Sequence, residues 1–255
     1  MVERFEIAGT RIDLELPPGF AQTHWTNRYS RFAGASGEPA YVFRARAGEL
    51  PSYGEFTNRA VRSGANGLVA EGGERLGELD LSSRRAELIA DPRLQATEVL
   101  LRAAVMLEVL ARGGCLFHAS ATVVDGRAYL FPGPSGAGKS TLAKLSAAPL
   151  SDDLCAVVPE GDGFVVHATP WWTGRTLSAP LAGVYTLSWD GEGLTELPRA
   201  AGLRHLASHM ALVVDEVDTR AAGFAAAGRI AKATPFGRLA FTCQTDVDAL
   251  LRRAA

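Results

Sequence analysis

The residues able to do chemistry cluster between His118 and Asp153. Within "FPGPSGAGKSTLAKL", Gly133, Gly138, Lys139 and Ser140 satisfy the spacing GxxxxGK[ST]. Glycine suits such a loop because backbone N–H groups must turn inward and come close to phosphate oxygens. Lys139 would reach the β- and γ-phosphates of a nucleoside triphosphate, and Ser140 would offer its hydroxyl to Mg²⁺, with the following helix pointing its positive end at the anion. The residues expected to hold the nucleotide are Gly133, Ser135, Gly136, Ala137, Gly138, Lys139, Ser140 and Thr141. Downstream stands an adjacent carboxylate pair, Asp152-Asp153; upstream stands His118. Phosphoryl transfer needs positioning, charge neutralisation and a group that orients the nucleophile. Two adjacent carboxylates at a strand end cannot face the same way, so one can turn to a metal while the other faces an acceptor hydroxyl. The bland alternatives are a solvated turn after Pro149 and a hydrogen-bonded core histidine.

These residues need elements to position them. "CLFHASATVVDGRAYLFPG" contains two β runs separated by Asp125-Gly126, a strong hairpin signal, and the second run feeds the loop. Common P-loop folds place that strand in a parallel sheet, whereas this hairpin gives it an antiparallel neighbour. "KSTLAKLSAA" reads as the helix after the loop, and "LCAVV", "GFVVHA" and "AGVYTLSW" read as further strands. Before them, "ATEVLLRAAVMLEVLARGG" has helical spacing and a Gly113-Gly114 stop. Residues 1–94 read as a β-rich domain of unknown role, opening on a hairpin around Gly9-Thr10. Residues 95–255 read as the catalytic domain, closed by "RLAFTCQ" as strand and "DVDALLRR" as helix.

The stretch from Leu116 to Val158 resembles the catalytic domain of HPr kinase/phosphorylase, which is related in fold to ATP-dependent phosphoenolpyruvate carboxykinase. A His-bearing strand, a hairpin, a GxSGxGKS loop and an Asp-Asp step come in the same order. The likeness is greatest to shorter HPr-kinase-like proteins associated with peptide natural products. The resemblance implies an α/β P-loop domain with a mixed sheet, preceded by the smaller β-rich domain. It also implies transfer of the γ-phosphoryl group of ATP, with Mg²⁺, to a serine hydroxyl of a peptide or small protein, a precursor peptide among the candidates. By the same resemblance Asp152 matches the base, Asp153 the partner near the metal together with Ser140, and His118 a histidine lining the reaction centre beside Lys139. A small-molecule hydroxyl kinase and a nucleotide-responsive regulatory module remain the alternatives.

Composition excludes other classes. With 26 basic and 28 acidic side chains there is no basic excess for a nucleic-acid backbone. The longest apolar runs are too short for a membrane span, and the first residues carry no apolar signal core, so a cytoplasmic protein is expected. Cys115, Cys155 and Cys243 lie far apart and read as buried, reduced thiols rather than a disulfide framework or zinc site. Oligomeric state is not legible. "ALVVDEVD" mimics the strand-then-Asp-Glu step of an ABC-type ATPase. However, Leu203, Leu206, Met210, Val213, Val217 and Phe224 recur at helical spacing, which predicts one helix over about 200–232 with Asp215-Glu216 on its solvated face. Trp171-Trp172 with Gly174 and Arg175 suggests a ring for stacking on a nucleobase or peptide, or else an interface plug. Arg229 and Arg238 are further cations without a distinguishing position.

Overall fold

The Asp125-Gly126 hairpin forms as the sequence predicts. In a computed structural model describing residues 2–18, 28–34, 36–171 and 177–253, β8 (Cys115–Val124) and β9 (Arg127–Pro132) pair antiparallel from Val124↔Arg127 to Ala119↔Pro132. Asp125 (φ 50°) and Gly126 (φ 77°) both take left-handed conformations, as a two-residue hairpin turn requires.

The chain divides into two units, Met1–Glu108 with Leu212–Thr219, and Val109–Ala211 with Arg220–Ala255. In the first unit, β1 (Val2–Ile7), β2 (Thr10–Glu15), β3 (Tyr41–Arg46), β4 (Ala60–Ser63), β5 (Gly67–Ala70), β6 (Gly77–Asp80) and β7 (Arg85–Ile89) form one seven-stranded sheet in the order β1-β2-β3-β7-β6-β5-β4. It is mixed: β3 pairs parallel with β2 and β7, and the remaining ladders are antiparallel. Strict alternation buries Phe5, Ile7, Ile12, Leu14, Tyr41, Phe43 and Ala45 on one face.

Helix α1 (Gln95–Ala111) starts where the Asp91 carboxylate accepts from the backbone N–H groups of Arg93, Gln95 and Ala96. Most of it belongs to the first unit, which runs through Glu108. The cause is side-chain anchoring of the helix: Tyr41 donates to Glu108 at 3.2 Å, Arg84 pairs with Glu108 at 3.2 Å, and Arg102 donates to Asn58 at 2.9 Å.

The second unit adds α2 (Lys139–Leu145), β10 (Pro149–Ser151), β11 (Leu154–Glu160), β12 (Gly163–His167), β13 (Ser178–Ser188), β14 (Gly193–Glu196), α3 (Arg199–Ser208), β15 (Phe236–Ala240) and α5 (Val247–Arg252), while α4 (Val217–Ala233) enters it from Arg220 onward. Its eight strands are again mixed. β9 lies between antiparallel β8 and parallel β13, and β13 pairs parallel with β15. The ten-residue β8 serves three partners, β11 through Cys115–His118, β9 from Ala119 onward, and β10 at Ala121 and Thr122. Tyr129, Phe131, Leu142, Tyr185, Leu239, Phe241, Val247 and Leu251 make a continuous apolar core joining β9, β13 and β15 to α2 and α5. Among the described residues no helix is long and apolar enough to cross a membrane.

The single helix predicted over 200–232 is two helices. Between α3 and α4 the backbone is spent on other partners: His209 O accepts from His118 N at 2.9 Å, Ala211 N donates to Leu116 O at 2.9 Å, and Val213 O accepts from Ala60 N at 2.8 Å. Asp215 and Glu216 are therefore not on a helix face; they pair with Arg59 (3.6 Å) and Arg62 (2.8 Å). Of the expected stripe, Leu206 and Val213 are buried, whereas Leu203, Val217 and Phe224 are exposed. Cys115 and Cys155 are buried as expected, but Cys243 is exposed in the turn after β15.

Candidate active site

The loop after β9 is held at its start by β8, where Gly133 N donates to His118 O at 3.2 Å. Gly136 (φ 82°) and Gly138 (φ 101°) occupy left-handed backbone that L side chains resist. Gly138 has a second reason to lack a side chain, since a Cβ there would lie 3.0 Å from Phe241 Cζ and 3.0 Å from Trp189 Cζ2. Lys139, the first residue of α2, donates its ammonium to Gly133 O at 2.7 Å and Pro134 O at 2.8 Å. Burial lowers the Lys139 pKa, while the Asp153 and Asp152 carboxylates oppose that shift. The lysine thus sits at the mouth of the loop, in the field of both carboxylates.

Asp152 and Asp153 form the two-residue link from β10 to β11, and both of those strands pair with β8. The turn is pinned: Ser151 and Thr169 hydroxyls both donate to Leu154 O (2.9 and 2.8 Å), and Ala119 N donates to Asp153 O at 3.1 Å. The two side chains differ in exposure, Asp152 being half-buried and Asp153 open. Burial pushes the Asp152 carboxyl above its ordinary range, opposed by a hydrogen bond from Ser140 and by the Lys139 charge. Its Oδ1 atom is buried and has no hydrogen-bond partner among the described residues. Asp153 is 61% exposed, with Oδ1 lying 4.0 Å from Nδ1 of the equally open His118. The resemblance pairs Ser140 with Asp153 at a metal; Ser140 hydrogen-bonds to Asp152.

The oxygen set of Ser140 and Asp152 fits Mg²⁺, a hard cation commonly held by one or two carboxylates with substrate phosphates completing its shell. The orphaned Asp152 Oδ1 is the observation that favours this, because a buried acceptor without a partner carries a desolvation cost that a ligand would relieve. Among the described residues there is no group of three or more His, Cys, Asp or Glu side chains able to cage a metal without such help.

His118, Asp152, Asp153 and the loop from Gly133 to Thr141, apart from Ala137, line one cleft of about 730 Å³. Three more line it that sequence reasoning missed, Trp189, Ser208 and His209. Helix α3 delivers the last two. His205 Nε2 lies 2.8 Å from Pro132 O and His209 Nδ1 lies 2.8 Å from His205 O, so each of these nitrogens carries its proton and donates to a carbonyl. This chain of bonds ties α3 to the start of the glycine-rich loop. The i, i+4 spacing of His205 and His209 was the only available signal. Of the tryptophan pair, Trp171 is buried, and Trp172, Gly174 and Arg175 lie outside the described residues. Arg229 donates to Gly113 O at 2.8 Å, and neither Arg229 nor Arg238 lines the cleft.

No protein-family model matches the chain, and no curated protein matches it. Among solved structures it is similar to the HPr(Ser) kinase/phosphatase from Coxiella burnetii, with 12% sequence identity and a TM-score of 0.33 over 54% of this chain and 94% of that one.

Proposed function

We propose that the second unit is an ATP-dependent phosphotransferase that moves the γ-phosphoryl group to a serine hydroxyl of a peptide or small protein. The observation that carries this reading is the shared cleft, in which a GxxxxGKS loop faces two adjacent carboxylates of different exposure. Backbone N–H groups between Gly133 and Ser140 would grip the phosphates, and Lys139 would leave the Gly133 and Pro134 carbonyls for the β- and γ-phosphate oxygens. Ser140 and Asp152 would hold Mg²⁺. When bound there, it supplies neutralisation of charge on the phosphate oxygens. Asp153 would orient the acceptor hydroxyl and take its proton as the oxygen–phosphorus bond forms and the bond to ADP breaks, with His118 beside it. This assignment reverses the roles that the family resemblance gives to the two aspartates. The openness of Asp153 and His118 to solvent favours an acceptor presented on a polypeptide, a precursor peptide being one candidate.

The experiment is incubation of the full chain with γ-labelled ATP, Mg²⁺ and a panel of serine-containing peptides and small hydroxyl compounds, followed by mass spectrometry. Label on a peptide serine that disappears with Asp153→Asn supports the reading. Label only on a small molecule rejects the acceptor class. Bound ATP with no transfer to any acceptor rejects the kinase in favour of a nucleotide-responsive module.

A further inference from the structure

Three parallel strands of the second unit, β9, β13 and β15, end at the same edge of the sheet. The phosphate loop follows β9, Trp189 follows β13 and Phe241 follows β15. Ligands of such sheets bind beyond the carboxyl ends of the strands. There, Trp189 rests on Phe241 with ring centroids 4.6 Å apart and planes inclined by 34°. Both rings close over Gly138, the last glycine of the loop. Phe241 is fully buried, whereas Trp189 keeps 46% of its surface open and lines the phosphate cleft. A large aromatic ring left open at this edge, and braced from below by a buried one, is a stacking platform rather than part of the core. The backbone behind it is also fixed: Ser188 Oγ donates to Asp190 at 3.0 Å, Asp190 N donates back to Ser188 Oγ at 3.2 Å, and Phe241 N donates to Ser188 O at 3.0 Å.

We propose that Trp189 is the base-recognition residue of this site, stacking its indole on the nucleobase of a nucleoside triphosphate whose phosphates lie in the loop from Gly133 to Ser140. The proposal rests on the phosphotransferase reading for the phosphates and adds the base subsite to it. Phe241 fixes the plane of the indole, and Gly138 lets the loop approach that plane. Every nucleobase has a π-face, so such a platform distinguishes a nucleotide from bare polyphosphate more strongly than it distinguishes one base from another.

The test compares the affinities of ATP and inorganic triphosphate, each with Mg²⁺, for the full chain and for Trp189→Ala and Trp189→Phe. Base–aromatic stacking predicts that the parent binds ATP about ten- to a hundredfold more tightly than triphosphate. Trp189→Ala should lose that preference with its triphosphate affinity held, and Trp189→Phe should keep most of it. An ATP preference that survives in Trp189→Ala overturns the proposal and leaves the phosphotransferase reading standing. So does a parent that binds both probes equally, or a Trp189→Ala variant that loses both equally while keeping the parent's circular dichroism. A parent that binds neither probe overturns the phosphotransferase reading itself.

Discussion

His118 and Asp153 approach to 4.0 Å, Nδ1 to Oδ1, because of a pairing one residue away. His118 stands opposite Leu154 across the β8–β11 ladder, so the residue before Leu154 must emerge beside it. Asp152, one step further back, is half-buried beside Ser140, and both carboxylates act on the Lys139 ammonium. The link between β10 and β11 thereby holds two identical side chains in two environments, one half-buried beside the glycine-rich loop and one open beside a histidine.

That sorting predicts separable phenotypes. Asp153→Asn keeps shape and loses basicity, so phosphoryl transfer should fall by about two to four orders of magnitude while ATP affinity holds. Asp152→Asn should instead raise the Mg²⁺ concentration needed for half-maximal rate. Titrating Mg²⁺ against initial rate for both variants checks the assignment; the opposite pattern would return the roles to the order implied by the family resemblance, and no effect from either would reduce the pair to a turn.

Asp152 also predicts a pH effect on stability. Its folded-state pKa is raised by burial, so its contribution is fully present below the ordinary carboxylate range and is lost as pH rises through the raised value. Asp152→Asn removes that loss. The ligand-free variant should melt at a higher temperature than the parent at pH 7, with the gap closing below roughly pH 4. Thermal scans across that range measure it, and a variant less stable at pH 7 contradicts the burial argument.

Lys139→Ala removes the only cation placed at the loop's mouth among the cleft-lining residues. Charge-assisted bonds of this kind correspond to roughly ten- to a hundredfold in affinity, so ATP binding should weaken by about that much and turnover should vanish. Calorimetric titration with ATP gives the number. Affinity equal to the parent's would remove the phosphate-loop assignment.

Much of this site was legible before any fold was known, because its signals are local. GxxxxGKS fixes a loop by backbone conformation alone, and Asp125-Gly126 fixes the antiparallel neighbour of its strand. What could not be read depends on pairings distant in sequence. Met210 bridges Phe117, and Ala211 binds Leu116, so a stretch with good helical spacing is pulled out of helix by bonds to residues far upstream. Trp189 was passed over for the same reason. Its place in the cleft follows from β13 lying next to β9, and a tryptophan at a strand end carries no signal of which strand it will adjoin.

Gly138→Ala tests how tightly the loop is moulded. The new Cβ would meet Phe241 and Trp189 at 3.0 Å in backbone with φ 101°, so strain and steric conflict add. A stability loss of about 1–3 kcal/mol is expected, with ATP binding lost as the loop shifts. Gly136→Ala, at φ 82° with nothing within 4 Å of its Cβ, pays backbone strain alone and should cost less. Urea denaturation of both variants gives the comparison, and equal losses would show that the aromatic pair does not constrain the loop.

The last prediction concerns the far end of the loop's helix. Behind α2, Thr122 and Ser146 hydroxyls are hydrogen-bonded, Ser146 Oγ donates to Asp248 Oδ1 at 3.0 Å, and Ala147 N donates to Asp248 Oδ2 at 3.0 Å. Thr122, Ser146 and Asp248 are all buried. The network ties β8, the C-terminus of α2 and α5 together, so it braces the end of α2 far from Lys139. Asp248→Ala would leave the Ser146 hydroxyl and the Ala147 N–H without their acceptor. Each orphaned group costs about 1–3 kcal/mol, which predicts a loss of about 2–6 kcal/mol in urea unfolding. Asp248→Asn keeps one acceptor oxygen and should recover part of it. Because Asp248 is absent from the cleft lining, any Asp248→Asn protein that remains folded should retain its ATP affinity. Retained stability in Asp248→Ala, or ATP affinity lost in a folded Asp248→Asn protein, would show that the network is not the structural brace this geometry describes.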